Sequence, residues 1–223
     1  MSRLSLKRLF PTYHSQCGQD RYVYKKFFNH HRNGVFVDIG AHDGVFINNT
    51  NFFEKTLGWT GICVEPNPTV FPQLKENRSC TCIQGCVSNE GGKRPYLLLP
   101  KNINGLCGLV DKYDQPHLDK IKELMSTNEG SSEKISVNCY LLNDLLDENG
   151  ITHINFLSVD TEGGELDILK SLDFSKYQID VITVEVNPSD ERFPPFLEEK
   201  GFRLDTRLEQ DLIFVHKDFT PLQ

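Results

Sequence analysis

The stretch Val35-Phe36-Val37-Asp38-Ile39-Gly40-Ala41-His42-Asp43-Gly44 decides the fold: a short apolar strand runs through an acid and empties into a glycine turn. A strand that ends in glycines and feeds a helix brings backbone N–H groups and a helix N-terminus up to a ligand. The dinucleotide fingerprint G-x-G-x-x-G begins with glycine, and here that position is Asp38. A carboxylate there repels a pyrophosphate and suits a cationic ligand, such as the ammonium of S-adenosylmethionine (SAM). A second apolar run, Gly61-Ile62-Cys63-Val64-Glu65, also ends in an acid, where a carboxylate accepts hydrogen bonds from ribose hydroxyls. Either acid alone suits an ordinary strand end; the pair at consecutive strand ends points to SAM.

Outward from these strands, apolar runs alternate with helix-period segments, which predicts a βαβ architecture with a mostly parallel central sheet and helices on both faces. The spacing predicts a helix over 19–29, strand 35–39, helix 45–57, strand 61–65, helix 69–77 and strand 80–87. Residues 89–134, rich in Gly, Asn, Lys and Pro, break the rhythm. They read as an insertion with a strand at 96–99 and a helix at 117–125, and insertions beside a parallel sheet shape pockets or lids. Alternation at Ile135, Val137 and Cys139 predicts a strand, and 141–148 a short helix. Strand 154–159, helix 165–172 and strand 181–186 follow. Pro194 and Pro195 start a last helix and Gly201 stops it. Two closing strands, 202–206 and 212–216, are joined closely enough for an antiparallel hairpin. A parallel sheet ending in a hairpin is the Rossmann-like layout of class I SAM-dependent methyltransferases.

The 223 residues fit one domain, 1–223, with an N-terminal extension over 1–14. Net charge is -7 at pI ≈ 5.5, which argues against nucleic acid as a partner. The basic cluster Arg3, Lys7 and Arg8 reads as a solvated start. No apolar run approaches the ~18–20 residues of a membrane span, and the start lacks the pattern of a signal peptide. Seven cysteines, mostly in strand-like stretches, suit reduced thiols and a cytoplasmic location. Cys80, Cys82 and Cys86 lack a second ligand pair and read as buried thiols before a zinc site.

In order along the chain, the sequence resembles the FkbM-type methyltransferase family from about 15 to 217. The stretches that carry the resemblance are Ser15-Gln16-Cys17-Gly18-Gln19-Asp20, Phe36-Val37-Asp38-Ile39-Gly40-Ala41, Asn49-Thr50 and Gly58-Trp59-Thr60-Gly61. Val64-Glu65-Pro66-Asn67, Cys86-Val87-Ser88, Asp160-Thr161-Glu162-Gly163-Gly164-Glu165, Glu185-Val186-Asn187 and Gln210-Asp211-Leu212 continue it. The resemblance implies transfer of a methyl group from SAM to a hydroxyl of a sugar, a glycan or a polyketide-like small molecule; a non-catalytic SAM-fold subunit is the alternative. A homo-oligomer is left open.

Carried over by position, Asp38 and Gly40 line the methionine part of SAM, with Gln16 and Ala41 beside them and Gly44 at the start of the following helix. Glu65 holds the ribose, flanked by Pro66 and Asn67, and Val87 and Ser88 approach the adenine. Bland alternatives are a solvated acid for Glu65 and a turn serine for Ser88. Asp160, which follows the apolar strand, and Glu162 are close acids that can divide labour as catalytic groups, and Asp160 also faces SAM. Glu165 fits the helix dipole instead. His42 and His117 are the other candidates for a general base. Asp160, Glu162, Glu185 and Asn187 offer hard oxygens for Mg²⁺ as a second cofactor. Asn104, Tyr113 and His117 place the acceptor side in 89–134.

Overall fold

The computed structural model describes residues 12–127, 129–187 and 189–222; Arg3, Lys7 and Arg8 lie outside them. Along the chain run α1 (Gln19–Phe27), β1 (Val35–Ile39), α2 (Asn51–Leu57), β2 (Thr60–Glu65), α3 (Phe71–Asn77), β3 (Thr81–Gln84) and β4 (Cys86–Val87). Next come β5 (Gly92–Leu98), a 3-10 helix (Lys101–Leu106), β6 (Gly108–Leu109), α4 (Gln115–Thr127), β7 (Glu133–Tyr140) and α5 (Leu142–Glu148). The last part holds β8 (His153–Val159), α6 (Glu165–Ser171), β9 (Gln178–Glu185), α7 (Phe193–Glu199), β10 (Phe202–Leu208) and β11 (Asp211–His216).

The main sheet has seven strands in the order β10-β11-β9-β8-β1-β2-β3. From β3 to β9 every pairing is parallel. The final strand β11 folds back antiparallel between β9 and β10. This is the Rossmann-like arrangement of class I methyltransferases that the strand pattern predicts. Direction along the sheet reverses at β1, whose neighbours are β2 on one side and β8 on the other, and open α/β sheets bind ligands at such a switch point.

Strand side chains alternate between two cores, as the period of two requires. Val37 and Ile39 of β1, with Leu212 and Phe214 of β11, pack against α5, α6 and α7. Phe36, Ile213 and Val215 face the other way, against Val23 and Phe27 of α1, Phe52 and Phe53 of α2, and Leu74 of α3. Trp59 completes that aromatic side, in contact with Phe28 and Phe53.

Three expectations need correction. The apolar run 80–87 is two strands rather than one: β3 continues the main sheet, whereas β4 pairs with β7 in a separate four-stranded sheet of order β4-β7-β5-β6. The insertion therefore shares a second sheet and core with β4 and β7, with Tyr96, Leu109 and Ile121 of α4 packed beside Val137 of β7, and its first strand runs over Gly92–Leu98 rather than 96–99. The helix expected over 45–57 begins only at Asn51. Asn and Thr side chains compete for backbone groups and favour turns over helix interiors; here Asn48 Oδ1 accepts from the backbone N–H of Thr50 and of Asn51. Gly44 consequently does not start a helix; its carbonyl accepts from Asn51 Nδ2 at 2.6 Å.

Candidate functional site

At the carboxyl end of β1 the chain turns under close constraint. Gly40 N–H and Ala41 N–H both donate to the carbonyl of Val64 on β2, and Asp160 N–H donates to the carbonyl of Ile39. Gly40 has φ +88, a region open to glycine and costly for other residues. Above this turn lies a cavity of about 600 Å³. Of the residues predicted to hold SAM, Gln16, Asp38, Gly40, Ala41, Glu65, Pro66 and Asp160 line it. Gly44, Asn67, Val87 and Ser88 are not in its wall. Asn67 caps the turn after β2, its Oδ1 accepting from Thr69 N–H. Val87 and Ser88 are drawn off by β4 into the second sheet, where Ser88 N–H donates to the carbonyl of Tyr140.

Asp38 is buried, and its Oδ2 accepts from Thr50 Oγ1 at 2.5 Å and Asn48 Nδ2 at 2.9 Å. Behind it stands a buried arginine that the sequence reading passed over. Arg78 Nε donates to Glu54 Oε2 at 2.6 Å, Nη1 to Asn48 Oδ1 and Nη2 to Thr50 Oγ1. Arg78 Nη1 lies 3.8 Å from Asp38 Oδ2. Burial raises the pKa of the Asp38 carboxyl, and the Arg78 guanidinium opposes that rise. The Asn48-Asn49-Thr50-Asn51 run within a supposed amphipathic helix was the available signal for this network.

Glu65 is also buried, and its two oxygens accept from backbone: Oε1 from Asn67 N–H at 2.7 Å, Oε2 from His42 N–H at 2.9 Å. Burial pushes its carboxyl up to about 7 despite those bonds. His42 lines the cavity, its Nε2 3.2 Å from Asn104 Oδ1. The insertion thus closes over this cavity through its 3-10 helix; Lys101 to Cys107 all face it.

The second group of acids forms on the loop after β8. Asp160, Glu162 and Glu185 bring carboxylate oxygens within 4.8 Å of one another. Glu162 adopts φ 62, unusual for a side-chain-bearing residue. Glu165 holds that turn, its Oε1 accepting from Thr161 N–H at 2.8 Å, Thr161 Oγ1 at 2.9 Å and Gly163 N–H at 3.0 Å. Burial, with the neighbouring Glu185 charge next, raises the pKa of both Asp160 and Glu162. Asn187, expected among the metal ligands, is engaged elsewhere: Nδ2 donates to Asp114 Oδ2 at 2.9 Å and Oδ1 accepts from Ser189. Of the four residues expected to offer oxygens, Asp160, Glu162 and Glu185 remain in the cluster.

A second cavity of about 340 Å³ adjoins the first, and Lys120, Glu162, Glu185 and Gln210 line both. Its outer wall carries Lys112, His117, Asp190, Arg192 and Phe193. His117 packs against Tyr113 with the two rings tilted, and its Nε2 lies 3.3 Å from Glu162 Oε2, off the line of a hydrogen bond. Burial, with the charge of Lys120, lowers the His117 pKa. His42 and His117 therefore face different cavities.

The family model for the methyltransferase FkbM domain matches residues 38–204, which include the lining of both cavities except Gln16 and Gln210. Methyltransferase sdnD of Sordaria araneosa is 26% identical over 215 residues, covering 82% of this chain and 82% of its own. Methyltransferase 1 of Beauveria bassiana is 27% identical over 185 residues, covering 74% and 71% respectively. A crystal structure of methyltransferase FkbM from Methylobacillus flagellatus aligns with TM-score 0.47 at 11% identity. That alignment covers 82% of this chain and 44% of the other.

Proposed function

Because the chain belongs to the methyltransferase FkbM domain family, a family implying SAM as methyl donor, we propose that it methylates a hydroxyl of an uncharged, hydroxyl-rich acceptor such as a sugar or glycan. The residues of the larger cavity fit SAM. Asp38 and Glu65 would hold it beside the glycine turn, where residue 40 has no room for a side chain. Bound there, SAM supplies a methyl group already activated on a sulfonium.

The observation that carries the reading is the shared wall of the two cavities: ligands seated in each would meet at Glu162 and Glu185. An aliphatic hydroxyl is a poor nucleophile, and a carboxylate of raised pKa is a better base for its proton. Asp160 or Glu162 would take that proton, while SAM would supply the methyl group by cleavage of its methyl–sulfur bond and leave as S-adenosylhomocysteine. Seating two reactants in adjoining cavities supplies the alignment for in-line attack. The smaller cavity sets three cationic side chains against five carboxylates (Asp114, Glu162, Glu165, Glu185 and Asp190). Lys112 is paired with Asp167 and Arg192 with Asp190. That balance disfavours an anionic acceptor and offers several oxygens to hydroxyl donors.

Asp160, Glu162 and Glu185 are also a hard oxygen set that fits Mg²⁺. They would hold the ion, and it would polarise the acceptor hydroxyl.

Methyl transfer from labelled SAM to a panel of neutral sugars, phosphorylated sugars and polyketide-like alcohols tests the proposal. Label on neutral sugars alone supports it, whereas label on the alcohols alone or on the phosphorylated sugars overturns the acceptor class. SAM binding without transfer to any hydroxyl compound overturns the enzymatic reading in favour of a subunit role.

A further inference from the structure

In the run Asn48-Asn49-Thr50-Asn51, Asn49 is the member whose side chain is incompletely paired. Asn48 serves Asp38, Ala41, Thr50, Asn51 and Arg78; Thr50 serves Asp38; Asn51 serves Gly44. Asn49 Nδ2 donates to Ser158 Oγ at 3.1 Å, but Oδ1 is buried and accepts nothing among the described residues. Asn49 is 7% exposed and lines the larger cavity. A buried carbonyl left unpaired is unfavourable, and the remaining source of a donor here is the cavity's occupant.

The place of Asn49 identifies which part of the occupant that is. Ser158, which fixes the amide, is the β8 partner of Asp38 in the register of the sheet. Glu65 ends β2, on the opposite side of β1. The two polar groups therefore bracket the end of β1, one on each flank. With Glu65 at the ribose, a ligand crossing β1 carries its amino-acid end to the β8 flank.

We propose that Asn49 Oδ1 accepts a hydrogen bond from the α-ammonium of the amino-acid portion of SAM, and so selects SAM and its demethylated product over nucleosides that lack this portion. The inference rests on the reading of the larger cavity as the SAM site. With Nδ2 donating to Ser158 Oγ, the carbonyl is the end of the amide left for the ligand.

Calorimetry with S-adenosylhomocysteine and with 5′-methylthioadenosine, which lacks the amino-acid portion, tests it on the full chain. Asn49→Ala is expected to weaken S-adenosylhomocysteine about 10-fold or more, as for a hydrogen bond to a charged group. The same variant should leave 5′-methylthioadenosine within about 2-fold. Asn49→Asp keeps an acceptor facing the ammonium, and Ser158 Oγ can donate to it, so S-adenosylhomocysteine binding should be retained. Equal loss of both ligands in Asn49→Ala, or loss of S-adenosylhomocysteine in a folded Asn49→Asp, overturns the proposal; the latter would point to the ligand's carboxylate. If the wild-type chain binds neither compound, the reading of the cavity falls and the proposal with it. Wild-type binding with an unaffected Asn49→Ala overturns the proposal alone.

Discussion

The backbone carbonyl of Asp160 occupies the place where a side chain on residue 40 would begin: a Cβ built on Gly40 would lie 1.6 Å from that oxygen. The contact draws the loop after β8 against the turn after β1, and so sets the acid cluster beside the cavity floor. Neither partner can move independently, because Asp160 N–H is bonded to the carbonyl of Ile39, the residue before Gly40.

Gly40→Ala should therefore be severe. The left-handed backbone costs about 1–2 kcal/mol for a residue with Cβ, and forcing an atom into packed backbone costs about 1–3 kcal/mol more. A loss of about 2–5 kcal/mol in urea unfolding is expected, together with loss of SAM binding. A variant of wild-type stability would mean the loop after β8 yields readily, and the two segments are not coupled as described.

Arg78 should matter as much to folding, although it lines neither of the two cavities described above. It neutralises Glu54 and stands near Asp38 with no exposed side-chain surface. Removing one partner of a buried ion pair typically costs about 3–5 kcal/mol. Arg78→Met should fall in that range, and Arg78→Lys should recover little of it, since one ammonium cannot reproduce a fork shared among Glu54, Asn48 and Thr50. Denaturant midpoints of the two variants check this.

These residues also mark where the sequence was legible and where it was not. The strands of the main sheet could be read because each carries an apolar run with a clear end, and the closing hairpin because its connection is short. Asp38 could be read as a cavity residue from its position, but its bonding to Thr50 and its approach to Arg78 depend on loops that spacing does not encode. The adenine role for Val87 and Ser88 was what the resemblance implied, with both residues placed at the end of a continuous strand over 80–87. Nothing in that apolar run says that residues 86 and 87 leave the main sheet to pair with β7, a partner more than fifty residues away. Glu162 was visible as an acid after a strand, whereas its left-handed backbone and its support by Glu165 required the fold.

Two carboxylates should give opposing pH signatures in stability. Burial raises Glu65 from its ordinary 4.5 to about 7. Between those values the folded state binds the extra proton, so stability contributed by Glu65 falls as pH rises from 4.5 to about 7. Burial would also raise Glu54, but the Arg78 guanidinium and the Ser79 N–H outweigh it and hold the carboxyl at about 2. Its contribution is present above pH 4.5 and is lost as pH falls toward 2. Thermal unfolding across pH 2–8 should show both limbs, and Glu65→Gln should flatten only the upper one. An upper limb unchanged in Glu65→Gln would assign that limb to another group, with Asp211, raised by burial to about 6, the next to test.

The acid cluster permits a separation of chemistry from folding, because Glu162 sits at φ 62 where glycine is at ease. Glu162→Gly removes the carboxylate and relieves the backbone, so its stability should equal or exceed wild type, by about 1 kcal/mol at most. If Glu162 serves as base, kcat should nevertheless fall about 10²–10⁴-fold, with S-adenosylhomocysteine affinity retained. Asp160→Asn provides the parallel test on the neighbouring acid. Both groups are raised by burial and by the charge of Glu185, so wild-type kcat should increase with pH as the base loses its proton, and the variant lacking the true base should lose that rise. A chelator separates the two roles open to the cluster: activity abolished by chelation and restored by Mg²⁺ assigns the carboxylates to a metal, and activity indifferent to chelation assigns them to the proton. Should Glu162→Gly and Asp160→Asn both turn over as wild type, the cluster is structural. His117, which lines the smaller cavity 3.3 Å from Glu162, becomes the base to test before His42, which faces the larger one.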